Sequence, residues 1–475
     1  MSAGVDTGYD AVMSRAGSIL RSAAGIDYAS FRRGRLEYDY EGLMAATGYS
    51  LEQVAAVQRQ YKVGATPLIE LRNISRLARS LAPAGRGARI FIKDEACNAS
   101  GSFKARRACL SVHESKRRGY PGVIAATSGN YGAAVAAMSA IQNQKCIIVQ
   151  ETFDSRGVGQ PEILEKGRAC EAYGAEVWQM TVGPELFYMH LLLLEQTGFF
   201  NASLYTPFSV SGIETLGEEI GRETVEAYGR EPAAVVVTHA GGGNVTGTAR
   251  GLRKAGYACA AVIAASVDLT GLHMASDTQF NRKSFTTGHT GFGVPFLTNP
   301  DRADVPHNAA RPLRYADRYV TVTQGQVFYM TQLLAQLEGL ERGPAGNISL
   351  CAAFRLAQEL ETGEIVVVQE TEYTGAGKHP TAQLTFARDQ GVQVVRGSAG
   401  PDRPGEVIAI PESPQQVTYH EVDLDRVRLS YLRGRLSSAG IADAAELSGP
   451  EVQYLAAETN VTVEECARLL AACKG

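Results

Sequence analysis

Four short stretches carry residue types that do chemistry. The first is Asn98-Ala-Ser-Gly-Ser-Phe-Lys104, a lysine behind small residues and a glycine, followed by a helical run to Lys116. Small neighbours let a bulky planar group approach the backbone. A lysine at a helix N-terminus feels the positive end of the dipole, which lowers its pKa and frees the amine for imine chemistry. Lys104 is therefore the candidate to hold a cofactor as a Schiff base; a solvated surface lysine is the ordinary alternative.

The second stretch, Thr127-Ser128-Gly129-Asn130-Tyr131-Gly132, joins a strand to a helix. Its N–H groups, hydroxyls and helix N-terminus make an anion site at the carboxyl edge of a parallel strand, and an amino-acid carboxylate fits it. It reads equally as a helix cap, with Thr127 or Ser128 as N-cap. The third, Gly241-Gly242-Gly243-Asn244, also lies between strand and helix. Its glycines let the backbone wrap an anion, and the dipole favours a phosphate. It is neither a Walker motif nor GxGxxG, and a glycine-rich turn with no ligand is the alternative. The fourth, Thr374-Gly375-Ala376-Gly377-Lys378, follows a late strand. Its neutral hydroxyl could meet a pyridine nitrogen, or the segment is a plain turn. Cys97 could carry an acyl group and His289 could act as acid or base, although inert thiols and solvated loop histidines are the norm.

Strands alternating with helices position these stretches. Strands are expected at 88–93, 122–126, 146–150, 176–180, 233–238, 260–267 and 363–370, and helices at 133–142, 161–173 and 184–196. Short apolar runs bounded by glycine and separated by helices indicate parallel sheet covered on both faces. Residues 1–62 have helical period and form an extension. A cofactor-binding domain is expected from 63–107 and 209–400, and a smaller substrate-closing domain from 108–208. Residues 401–475 read as a linker and C-terminal helices, the linker composition spanning Gly397–Pro414. The glycine-rich stretch 270–312 reads as a loop over the active site.

With 475 residues the chain exceeds a single core, so two or three domains are expected. A net charge of −4, with both signs interspersed, offers no electrostatic surface for nucleic acid or membrane. The eight cysteines are scattered without a CxxC, as for reduced thiols in a cytoplasmic protein, and the eight histidines lack metal-ligand spacing, so no metal is expected. The N-terminus has no signal-peptide pattern, and no apolar run approaches the ~20 residues of a membrane span.

Together these four stretches resemble the fold-type II pyridoxal-phosphate enzymes, the threonine synthase, cysteine synthase and serine/threonine dehydratase group. The resemblance spans about residues 62–385. It implies an α/β fold of the tryptophan synthase beta type, with two doubly wound parallel-sheet domains. It implies pyridoxal 5'-phosphate as cofactor and Lys104 as the catalytic and cofactor-linking lysine. Asn130, Gly241, Gly242, Gly243, Asn244 and Thr374 would bind the cofactor: Asn130 at the 3′-oxygen, Gly241 to Asn244 at the phosphate, Thr374 at the ring nitrogen. Thr127, Ser128, Gly129 and Asn130 would bind the substrate carboxylate.

Over nearly the whole chain, GARIFIKDEA, IAATSGNYGAAVA, GVGQPEILEKGRACEAYGAEV and GFFNASLYTPFSVSGIETLG are similar to the 2-amino-4-ketopentanoate thiolase beta subunits. That family implies an acyltransferase of ornithine degradation, working with a small alpha subunit. It cleaves 2-amino-4-ketopentanoate with coenzyme A to alanine and acetyl-CoA. A related carbon–carbon reaction on another 2-amino-4-keto acid stays open. So do β- or γ-replacement or elimination on an activated amino acid, and a catalytically silent subunit. A homo-oligomer follows from the resemblance alone. Two departures stand beside the lysine: Ala99 replaces the family's proline and Ala105 its aspartate.

Overall fold

The computed structural model describes residues 6–127, 129–269, 283–288, 297–301, 307–373, 380–397 and 402–474. Gly122–Thr127 (β3), Lys145–Phe153 (β4), Glu176–Thr181 (β5) and Phe200–Asn201 (β6) form a parallel sheet in the order β5-β4-β3-β6. A larger sheet takes Leu68–Glu70 (β1), Arg89–Asp94 (β2), Ala234–Thr238 (β7), Ala261–Val267 (β8), Arg318–Val322 (β9), Ile365–Glu370 (β10) and His420–Glu421 (β13). Its order is β1-β2-β10-β7-β8-β9-β13, parallel inside, with the edge strands β1 and β13 antiparallel to their neighbours.

The apolar runs have a simple cause. Every residue of β7 and β10 is buried, and successive side chains enter opposite cores. Val235, Val237, Ile365 and Val367 join one core, and Ala234, Val236, Val366 and Val368 the other. The first core also takes Val123 and Ala125 of β3, so the two sheets share it. Ile124 and Ala126 face a third core on the far side of the smaller sheet.

Helices Tyr9–Ser14 (α1) and Ala16–Ala24 (α2) pack on Glu185–Thr197 (α9) over that third core. Tyr40–Ala45 (α3) is tied down by the Tyr40 hydroxyl, which donates to the Ala309 carbonyl at 2.8 Å. Leu51–Gln60 (α4) packs on Lys104–Arg117 (α6) and Pro207–Tyr228 (α10). The N-terminal extension therefore lies on the body of the molecule. Arg72–Leu81 (α5), Gln324–Glu338 (α12) and Pro344–Ala357 (α13) cover the outer face of the large sheet. Asn130–Gln142 (α7) and Pro161–Ala172 (α8) follow β3 and β4, and Gly243–Lys254 (α11) follows β7. Pro380–Asp389 (α14) packs on α12, and Leu424–Ser438 (α15), Gly449–Thr459 (α16) and Val463–Ala471 (α17) complete the chain. No described helix is long and apolar enough to cross a membrane.

The long helix α10 sets the spacing of the site. The Thr206 side chain caps it by accepting from the Ser209 N–H, Pro207 opens it, and Gly229 ends it in the left-handed conformation. It crosses α6 and α11 at very short range. A Cβ on Gly212 would stand 2.4 Å from the Arg106 carbonyl oxygen, and one on Gly251 1.8 Å from that of Glu214. Larger residues would push these helices apart, and with them the starts of α6 and α11.

The linker expectation for Gly397–Pro414 is corrected. Val407–Ile410 (β12) pairs in parallel with Gln393–Arg396 (β11) and packs on α12. Proline, glycine and charge on either side mask a four-residue apolar run, Val-Ile-Ala-Ile, that is long enough for a short buried strand.

Candidate active site

Lys104 is the first residue of α6, and behind it lies a buried ion network. The Arg106 guanidinium donates to both carboxylate oxygens of Glu95 (2.7 and 2.8 Å) and to both of Glu219 (each 2.8 Å). Thr66 and Asn98 donate to Glu95 at 2.5 and 2.8 Å, and Lys93 pairs with Glu219 and Glu223. Asn98 Oδ1 accepts from the Gly64 N–H at 2.9 Å, so this residue is clamped at both ends of its amide. The loop is also laced to the end of β10: Phe103 N–H donates to Thr371 O, and Tyr373 N–H to Gly101 O. The backbone that presents Lys104 is held from two sides.

In front of Lys104 opens a cavity of about 120 Å³. Its lining includes Lys104, Thr127, Gly129, Asn130, Gly241, Gly242, Gly243 and Asn244, which come from three stretches far apart in the chain. The starts of α6, α7 and α11 thus converge on one space, each with N–H groups that lack intrahelical acceptors. Burial pushes the Lys104 amine down to about 8; Glu372 opposes that shift, and Arg107 and Lys166 add to it. About a fifth of the amine population is then neutral near physiological pH, far more than for an ordinary lysine, and the neutral form is the one imine chemistry uses.

Thr127 ends β3, and its Oγ1 accepts from the N–H groups of Gly129 and Gly132, both at 3.0 Å. The hydroxyl therefore braces the loop and Thr127 lines the cavity, but the N-cap of α7 is Gly129, which corrects the reading of Thr127 as that cap. Ser128, Thr374 with the rest of 374–378, and His289 lie outside the described residues. Most of the expected loop at 270–312 does too, although Thr287 lines the cavity. Cys97 is exposed, is not in the cavity lining, and donates to Asp94 at 3.4 Å. Burial and the Asp94 charge push its thiol pKa up, the wrong direction for a nucleophile.

The glycine turn has no room for a side chain at Gly242. Gly242 is left-handed (φ +85°), and a Cβ there would stand 2.5 Å from Pro312 Cγ. Asn244 Oδ1 is buried without a hydrogen-bond partner, while its amide nitrogen reaches the Thr238 carbonyl at 3.4 Å. A planar cofactor with a phosphate arm fits this set of groups: a reactive amine, an orphaned amide oxygen, and a helix N-terminus at a glycine turn. Among the described residues no cluster of His, Cys, Asp and Glu is arranged for a metal ion.

Sequence reasoning overlooks several lining residues: Arg107, Glu162, Lys166, Tyr205 and Glu372. For Arg107 and Lys166 the sequence signal is helical spacing, which solvent-facing charges share. Arg107 is three residues after Lys104, and Lys166 four after Glu162, so each pair shares a helix face. Both cations are buried, and among the described residues neither has a carboxylate partner.

A family profile described as "Pyridoxal-phosphate dependent enzyme" matches residues 59–371. The chain is 61% identical over 459 residues to a 2-amino-4-ketopentanoate thiolase beta subunit of an unknown prokaryotic organism, covering 97% of both chains. It is 59% identical to the protein of that name in Acetoanaerobium sticklandii, again over 97% of each. Among solved structures, a pyridoxal 5'-phosphate-dependent aspartate racemase matches with a TM-score of 0.54 at 17% identity, covering 70% of this chain and 97% of that one. At that identity the likeness is one of fold.

Proposed function

We propose a reaction for a chain that belongs to the pyridoxal-phosphate dependent enzyme family: thiolytic cleavage of 2-amino-4-ketopentanoate with coenzyme A to alanine and acetyl-CoA. The observation that carries it is the buried Lys104 amine, pushed down to about 8 and facing a cavity between two further helix starts. The substrate follows from the names of the relatives that match along 97% of the chain. Those relatives are beta subunits, which supports a small alpha subunit as partner.

Lys104, Asn130, Gly241 to Asn244 and Thr374 would hold the cofactor. When bound, it supplies an electron sink for charge at the amino-acid α-carbon. Gly129 and Asn130, with Thr127 and Ser128, hold the substrate carboxylate at the start of α7. Lys104, once free, takes the α-proton and later returns it. Lys166 lies on the side of the substrate loop: a Cβ on Gly129 would stand 3.8 Å from its Cγ. There its ammonium stabilises the charge that builds on the C4 oxygen as the thiol attacks. An S–C4 bond forms, the C3–C4 bond breaks, and C3 gains the proton that the thiol loses.

The test is reconstitution. Purified protein with pyridoxal 5'-phosphate, a cognate alpha subunit, 2-amino-4-ketopentanoate and coenzyme A should form acetyl-CoA and alanine in equal amounts. Absence of acetyl-CoA, with turnover of O-acetylserine instead, would replace this reading by β-replacement.

A further inference from the structure

We propose that Arg107 is the cationic anchor for the cofactor's phosphate ester, and the residue by which this site selects a phosphorylated pyridoxal over the free alcohol. The proposal rests on the cofactor reading above and adds a group outside the glycine turn.

Arg107 is only 2% exposed, yet its guanidinium lines the cavity. Its hydrogen bonds go to neutral acceptors, the Ser209 hydroxyl at 2.8 Å and the Leu204 carbonyl. The Tyr131 ring lies 5.5 Å from its Cζ. Among the described residues it has no carboxylate partner, although Glu162 and Glu372 line the same cavity. A buried guanidinium served only by neutral groups is costly unless an anion joins it.

Position identifies which anion. A Cβ on Gly243 would stand 2.6 Å from Arg107 Nη2 and 3.0 Å from Cζ. Gly243 is the first residue of α11, inside the glycine turn. The guanidinium and the α11 N-terminus therefore face the same space, and both attract negative charge. The substrate loop at the start of α7 has its own cation in Lys166. A dianionic phosphate ester matches the charge on the glycine-turn side, and guanidinium geometry suits its oxygens.

The experiment titrates full-length apoprotein with pyridoxal 5'-phosphate and with pyridoxal, following visible absorbance. Wild type should prefer the phosphate ester. Arg107→Gln should lower that preference about 10- to 100-fold and shift the ³¹P resonance of bound cofactor. Arg107→Lys should recover part of the preference. Gly243→Ala, which crowds the guanidinium but leaves it present, should lower the preference too and guards against a misfolded Arg107 variant. An unchanged preference in Arg107→Gln, with weakened substrate binding instead, overturns the anchor while the cofactor site stands. Wild type that binds no pyridoxal 5'-phosphate overturns the cofactor reading as well.

Discussion

Arg106 and Arg107 are neighbours in sequence and opposites in setting. Arg106 points behind α6, between Glu95 and Glu219, with all four carboxylate oxygens in hydrogen-bond contact. Burial works against its charge, but the two carboxylates more than compensate and raise its pKa. Arg107 points into the cavity, has only neutral partners, and is pushed down to about 10 by burial. A buried charge whose partners are all present holds the backbone in place. A buried charge with a partner missing is a place where a ligand's charge is accepted. A single residue step along α6, about 100° of rotation, separates a brace from a binding group.

The expected outcomes that break or sharpen that contrast fall into four groups. The largest is on the cavity side: Lys104→Ala should lower turnover about 10⁴-fold or more, with loss of the cofactor's visible band, because linkage and proton transfer fail together. Next is the brace. Arg106→Met leaves Glu95 and Glu219 buried without their cation and should cost about 3–5 kcal/mol in denaturant unfolding. Arg107→Met in the apoprotein should be neutral or stabilising by up to about 2 kcal/mol, since it removes an unpaired buried charge. Equal destabilisation by the two variants would erase the distinction.

Lys166→Met comes third, with turnover reduced about 10²-fold and exchange of the substrate α-proton in D₂O retained. Loss of that exchange would move Lys166 to an earlier role. The smallest effects are those of pH. Cofactor capture by apoprotein should rise about tenfold per unit up to pH 8 and then level, because only the neutral Lys104 amine attacks. Behind α6 the sign differs. Burial alone would raise the Glu219 carboxyl, but the Arg106 charge and hydrogen bonds, with Lys93, hold it at about 2. Its stabilisation is present above the unfolded value near 4.5 and is lost as pH falls towards 2, which acid unfolding of wild type against Arg106→Met would measure.

The sheets were legible because parallel strands covered on both faces are apolar at every position, as in Val235 to Val237 and Val366 to Val368. The three candidate stretches that meet at the cavity were legible as candidates because each sets small residues or glycines at a helix start, although a plain cap or turn has the same composition. β12 was hidden by the composition around it, and β13 is only two residues long. Arg107, Glu162 and Lys166 were illegible for another reason: a charged residue on a helix looks the same in sequence whether it faces solvent or a cavity.

Residue types and junctions alone thus specify the alternating architecture and mark Lys104 and the two strand-to-helix turns as candidates, because each is a local consequence of backbone and side-chain chemistry. Which charges are paired belongs to the assembled molecule. Glu219 reaches Arg106 from 113 positions away, and Gly243 meets Arg107 only because α10 holds α6 and α11 at the range its glycines permit. Pairing sets whether a buried charge braces the fold or waits for an anion. It depends on distances of a few ångström between segments that the order of residues does not bring together.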